Sequence, residues 1–192
     1  IHRFEKAHSK PITQVAAASH SMYAVSASED MSIGVWSLAN KALFHRFVDA
    51  HNSLILSIAA APSSDLVVSA AAGRDIKIWD LKQKKLYHRF ENAHSDQISS
   101  VAVSPDSKYI ISGSYDRCMG IWNLEETTPL DKMLYVHAER ITSVLISKDS
   151  NLIMSTFEDK SLAVWSLSQR KLLHRLENPH VHAITVITVT SD

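Results

Sequence analysis

Cysteine is almost missing from these 192 residues: Cys118 is the only one, which excludes a disulfide framework and favours a reducing, intracellular, cytoplasmic setting. Glycine is nearly as scarce, with four in all and none in a phosphate-cradling pattern, so a P-loop nucleotide site is excluded. Neither charge sign is in excess. Twenty basic and 20 acidic side chains cancel, which argues against a nucleic-acid partner or an acidic membrane surface. No apolar run approaches the ~20 residues needed to span a bilayer; Leu54–Pro62 is about the most apolar stretch. The opening residues, Ile1 to Glu5, lack the features of a signal peptide. Segments with a helical period are also missing.

What is present is a fixed interval. Histidines stand at His8, His51, His94, His137 and His180, and tryptophans at Trp36, Trp79, Trp122 and Trp165, each 43 residues after the last. Ser26, Ser69, Ser112 and Ser155 keep the same step, as do Asp30, Asp116 and Asp159, with Gly73 standing where a fourth aspartate belongs. Ile12, Ile55, Ile98, Ile141 and Ile184 each follow a histidine by four. Within a unit the apolar pattern alternates with period two, and Ile33-Gly34-Val35-Trp36 reads as a strand buried on both faces. Turn chemistry such as Ser104-Pro105-Asp106-Ser107 separates the strands. In the third unit the strands are expected near 98–104, 109–114, 118–123 and 132–136, with Glu125 to Pro129 as a connection. Four short antiparallel strands per repeat of about 40–45 residues predict an all-β protein, a β-propeller of four-stranded antiparallel blades.

On these residues the chain resembles the WD-repeat β-propeller family. The third unit carries the likeness best, through Ala93-His94, Ser104-Pro105-Asp106, Ser112-Gly113-Ser114-Tyr115-Asp116 and Trp122-Asn123. The family's Gly-His pair is Ala-His in three units, and its Trp-Asp pair survives only as Trp79-Asp80. The resemblance divides the chain into an outer strand of a preceding blade (1–8), blades at 11–51, 54–94, 97–137 and 140–180, and an inner strand of a following blade (183–192). It implies a fragment of a larger, seven-bladed propeller, with additional blades in the rest of the protein. It also implies that histidine, serine, aspartate and tryptophan form a hydrogen-bonded chain inside each blade. That assigns complete networks to His8/Ser26/Asp30/Trp36, His94/Ser112/Asp116/Trp122 and His137/Ser155/Asp159/Trp165, and an incomplete one to His51/Ser69/Trp79. Asp75, two residues past Gly73, is expected to point elsewhere.

The repeat filters the sharper readings. Eleven histidines suggest metal, but nine fall at repeat positions one blade apart and cannot converge on one ion, so no metal or cofactor is expected. Ser/His/Asp sets mimic a hydrolase triad, yet the same set recurs blade after blade with a tryptophan attached, so no catalytic residue is assigned. A His-Arg-Phe motif on the outer strands (His45-Arg46-Phe47, His88-Arg89-Phe90) sets phenylalanine against the next blade and arginine towards solvent. Function is then expected where the repeats diverge, on the rim shared by the turns after each histidine and before each aspartate. The candidate partner-binding residues there are Lys10, Glu29, Leu54, Asp96, Tyr115, Glu139, Arg140 and Glu158, with Leu54, Tyr115 and Arg140 as anchors. The expected function is a non-catalytic protein–protein interaction scaffold or adaptor. Two alternatives stand beside it: an RNA- or ribonucleoprotein-associated module using lower-rim cations such as Lys82, Lys84 and Lys85, or a propeller regulating an enzyme domain outside this chain.

Overall fold

β-Branched and small apolar residues alternate along short segments, and left-handed turn positions join them. A computed structural model describes residues 4, 7–18, 22–133, 139–177, 181–182, 184 and 187. Its sixteen strands form four separate four-stranded antiparallel sheets, and no helix occurs among the described residues. The first sheet holds β1 (Ile12–Ala18), β2 (Tyr23–Ser28), β3 (Ile33–Ser37) and β4 (Ala42–Phe47). The second holds β5 (Ile55–Ala60), β6 (Leu66–Ala71), β7 (Ile76–Asp80) and β8 (Lys85–Phe90). The third holds β9 (Ile98–Val103), β10 (Tyr109–Ser114), β11 (Met119–Asn123) and β12 (Thr128–Met133). The fourth holds β13 (Ile141–Ile146), β14 (Leu152–Phe157), β15 (Leu162–Ser166) and β16 (Lys171–Leu176). Strands pair in sequence order within each sheet. Turns use left-handed backbone without glycine, as at Met31, Arg117 and Lys160 with φ of 67°, 66° and 69°.

Hydrophobic layers between successive sheets hold the assembly together. Ile33, Val35 and Phe47 pack on Ile55, Val67 and Trp79; Ile76, Ile78 and Phe90 on Ile98, Ile110 and Trp122; Ile111, Met119 and Ile121 on Ile141, Ile153 and Trp165. The inner strands lie side by side in the order β1, β5, β9, β13. Polar side chains tie them together: Ile58 N donates to Gln14 Oε1 at 2.8 Å, Val101 N to Ser57 Oγ at 3.1 Å and Val144 N to Ser100 Oγ at 3.2 Å. A backbone N–H at a blade junction is thereby satisfied from the neighbouring blade.

Two expectations change. The last strand of the third sheet starts at Thr128, not 132, so Thr128 and Pro129 belong to it and not to a connection. Pro129 lies opposite Trp122 at a register shift on an outer strand, where a missing N–H costs little. Arg46, Arg89 and Arg175 do not simply face solvent; each reaches back to a turn of its own sheet, as described below. The strands expected at 1–8 and 183–192 fall mostly outside the described residues.

Candidate functional site

The tautomer of each network histidine follows from its partners. In the first blade Trp36 Nε1 donates to Ser26 Oγ at 2.8 Å, and His8 Nε2 lies 2.7 Å from the same oxygen. On the other side of the ring, Nδ1 faces the Asp30 carboxylate at 3.1 Å and must carry the proton, so Nε2 accepts from the serine hydroxyl. The third blade repeats this: Trp122 to Ser112 at 2.9 Å, His94 Nε2 to Ser112 at 2.7 Å, Nδ1 to Asp116 at 3.0 Å. In the fourth, Trp165 donates to Ser155 at 2.8 Å, while His137 and His180 lie outside the described residues. Asp159 there accepts from Ser161 N and from Arg175 Nη2.

Each aspartate also organises its turn. Ser9 N and Ser32 N donate to Asp30 at 2.9 and 3.0 Å, and Ser95 N and Cys118 N to Asp116, both at 2.9 Å. Burial alone would raise these carboxyls. For Asp30 the Ser32 hydroxyl and the N–H groups of Ser9 and Ser32 outweigh it; for Asp116 the His94 imidazole does so first, then Ser95 and Cys118. Both acids are held well below the usual carboxylate range.

The second blade departs from this plan. Trp79 donates to Ser69 at 2.8 Å and His51 Nε2 meets Ser69 at 2.7 Å, but Gly73 offers Nδ1 no carboxylate. Burial first, then the Lys77 cation, lowers His51 to a pKa of about 3, so it is neutral at pH 7. Asp75 points away, accepting from Arg89 Nε at 3.0 Å and Asn92 N at 2.9 Å. Hydrogen exchange is therefore expected to be faster in β6 and β7 than in β10 and β11; greater protection in the second blade would contradict this.

Sequence reasoning missed the arginines. Arg46 donates to Ser32 Oγ and Ala7 O, Arg89 to Asp75, and Arg175 to Asp159 and Ser161, so each clasps the turn that leads into the neighbouring strand. Their common 14-residue offset from Ser32, Asp75 and Ser161 was the available signal. The phenylalanines of the same motif pack on the next tryptophan: Phe4 on Trp36, Phe47 on Trp79 and Phe90 on Trp122, with ring centroids 4.7, 4.7 and 4.8 Å apart.

On the rim, backbone bonds pair the two families of turns: Glu29 N to Pro11 O, Ala72 N to Leu54 O, Tyr115 N to Gln97 O and Glu158 N to Arg140 O. Lys10, Asp96 and Glu139 are exposed beside them, and Leu54 is 39% exposed. Tyr115, Arg140 and Glu158 form one cluster bridging the third and fourth blades. The Arg140 guanidinium lies 4.8 Å from the Tyr115 ring centre and its Nη1 is 3.8 Å from Glu158.

Sheets of four antiparallel strands, stacked face to face, each with a Trp–Ser bond and three of them with a described Trp–Ser–His chain, define the blades of a β-propeller. The sequence pattern of the WD domain, G-beta repeat, matches four times, at residues 1–37, 43–80, 84–123 and 129–166, and the chain belongs to that family. The last three matches begin at or beside an outer strand and end near a tryptophan, so each supplies the fourth strand of one blade and three of the next. Repeats of this family generally mediate protein–protein interaction, and their propellers are typically non-catalytic. No match was found among curated proteins.

Proposed function

We propose that this chain is a non-catalytic interaction scaffold that holds partner proteins on the loop rim of a propeller. The observation that carries the reading is the Tyr115–Arg140–Glu158 cluster: an aromatic ring and a guanidinium already oriented across a blade junction where the repeats differ. The serine sets argue in the same direction. Ser26, Ser69 and Ser112 are 3%, 0% and 0% exposed and already accept an indole N–H, so they are out of a substrate's reach.

Further blades complete the platform in this reading. Ile12 and Val15 on β1 are 46% and 66% exposed, whereas Ile55, Ile98 and Ile141, and Ile58, Val101 and Val144, at the same repeat positions, are all at most 5% exposed. At the other end Leu176 is open where Phe47 and Phe90 are covered. Uncovered faces of this kind suit a preceding and a following blade. The lone, buried Cys118 suits an intracellular site of action.

Site-specific photo-crosslinking tests the reading. A crosslinker in place of Glu139 is expected to capture a protein that one in place of Lys84, on the opposite rim, does not. Arg140→Ala and Tyr115→Ala are expected to weaken that complex at least tenfold. Capture at Lys84 with a steep salt dependence would instead support an RNA-associated module using the lower rim.

A further inference from the structure

Among the three blades whose histidine is described, the second alone lacks the network aspartate, and the difference leaves hydrogen-bond donors facing outward. In the first and third blades the aspartate carboxylate sits on the rim, held by the histidine Nδ1–H, the next residue's N–H and the N–H two positions past the acid. The second blade has Gly73 in place of the acid but keeps the scaffold beneath it. Ser69 holds His51 through Nε2 as Ser26 and Ser112 hold their histidines, so Nδ1–H points the same way. Neither His51 Nδ1 nor Asn52 N has an acceptor among the described residues. The third donor, Asp75 N, lies on a turn that has relaxed: Arg74 lacks the left-handed φ found at Met31 and Arg117.

Space and charge are available as well. A Cβ built on Gly73 would meet only Ser53 Oγ, at 3.5 Å, which is ordinary contact, and the glycine has no positive φ. Asp75, the one nearby acid that could fold back, is engaged by Arg89 and Asn92. Lys77 replaces the glycine of the first and third blades (Gly34 and Gly120) and brings its ammonium to Ala50 O at 2.6 Å, next to His51 in the chain. Beside the notch, Leu54 and Arg74 are both exposed.

We propose that the notch over Gly73 binds a carboxylate, supplied by an aspartate or glutamate side chain of a partner protein. That group completes from outside the network that Asp30 and Asp116 complete from within. His51 Nδ1–H and Asn52 N–H grip its oxygens, Lys77 supplies a favourable field, and Leu54 covers an apolar neighbour of the acid on the partner. The source of the carboxylate rests on the scaffold reading; the site itself does not.

The test uses the full chain with its histidine rings followed by nitrogen-15 NMR at pH 7. Acetate replaces chloride at constant ionic strength. A saturable shift at His51 Nδ1 is expected, together with one at the Arg74 amide as its turn tightens. Gly73→Asp, whose own carboxylate fills the notch, is expected to abolish the response; Asp116→Gly is expected to create one at His94. No shift at His51, an equal shift with chloride alone, or an undiminished response in Gly73→Asp would overturn the site, and none of these needs Asp116→Gly to fold. A second arm uses a capped peptide with leucine and aspartate flanked by glycines. It is expected to bind at least tenfold more tightly than its asparagine counterpart. Acetate binding without that preference overturns the partner side chain as the source and leaves free small carboxylates. Failure of the rim crosslinks alone would count against the scaffold reading and not against this site.

Discussion

Ser112→Ala is expected to destabilise the chain by about 2–5 kcal/mol, because one hydroxyl serves two buried partners. Removing it leaves the Trp122 indole N–H and His94 Nε2 unpaired at a position that is 0% exposed, and each orphaned group costs about 1–3 kcal/mol. For a chain of this size that corresponds to a melting point lower by ~5–15 °C. Trp122→Phe removes the donor along with part of the ring packed on Phe90; the packing loss is common to both backgrounds, so in the Ser112→Ala background the change should cost less than it does alone. The double-mutant cycle should give a coupling of about 1 kcal/mol or more. Lys41→Ala, an exposed change, should stay within about 0.5 kcal/mol. Strictly additive effects of Ser112→Ala and Trp122→Phe in urea melts would show that the chain of bonds is not cooperative.

Why that network could be anticipated, and the rest of the rim could not, is a matter of range. A 43-residue step reports whatever is repeated, so it groups His8, Ser26 and Trp36 with their equivalents and predicts the four sheets, whereas the hydrogen-bonded chain among them was what the resemblance to WD repeats implied. Alternation within a strand tells which face a side chain leaves from, but not how far a long one bends. Arg46 was expected to reach solvent, and it instead crosses back to Ser32 and Ala7 over Gly34, which offers no side chain in the way. Glycine at that position also spares the Ser–Trp bond, since a Cβ on Gly120 would come within 2.7 Å of both Ser112 Oγ and Trp122 Nε1. Yet Ala163 occupies it in the fourth blade with the Trp165–Ser155 bond intact, so backbone adjustment decides the outcome, and a sequence does not display that. The start of β12 was misplaced for a related reason. Glu125 to Pro129 read as a connection, but an outer strand tolerates a residue without an N–H, and Pro129 lies within β12.

The same comparison of blades gives the chain a characteristic response to acid. Stability is expected to fall by about 2 kcal/mol between pH 7 and pH 5 through His51 alone. Its pKa drops from an ordinary 6.5 to about 3 on folding, so below pH 6.5 the unfolded chain takes up a proton that the folded chain refuses. That contribution is present in full above pH 6.5 and is lost progressively as the pH approaches 3. His8 acts in the same sense, since burial lowers it, but Asp30 opposes the shift. Asp30 and Asp116 produce a second, lower step: their folded pKa values are depressed, so their contribution holds above about pH 4 and is lost below it. Urea midpoints at intervals from pH 7 to pH 3 separate the two. His51→Gln should flatten the upper step and leave the lower one, whereas a slope between pH 7 and 5 as steep as in the unaltered chain would remove His51 as its cause. Gly73→Asp should flatten the upper step as well, because a carboxylate beside Nδ1 raises the folded pKa of His51 towards its unfolded value. The blade with Gly73 in place of the acid is thus, among the described residues, both the source of the upper acid step and the place where a carboxylate from another protein has most to stabilise.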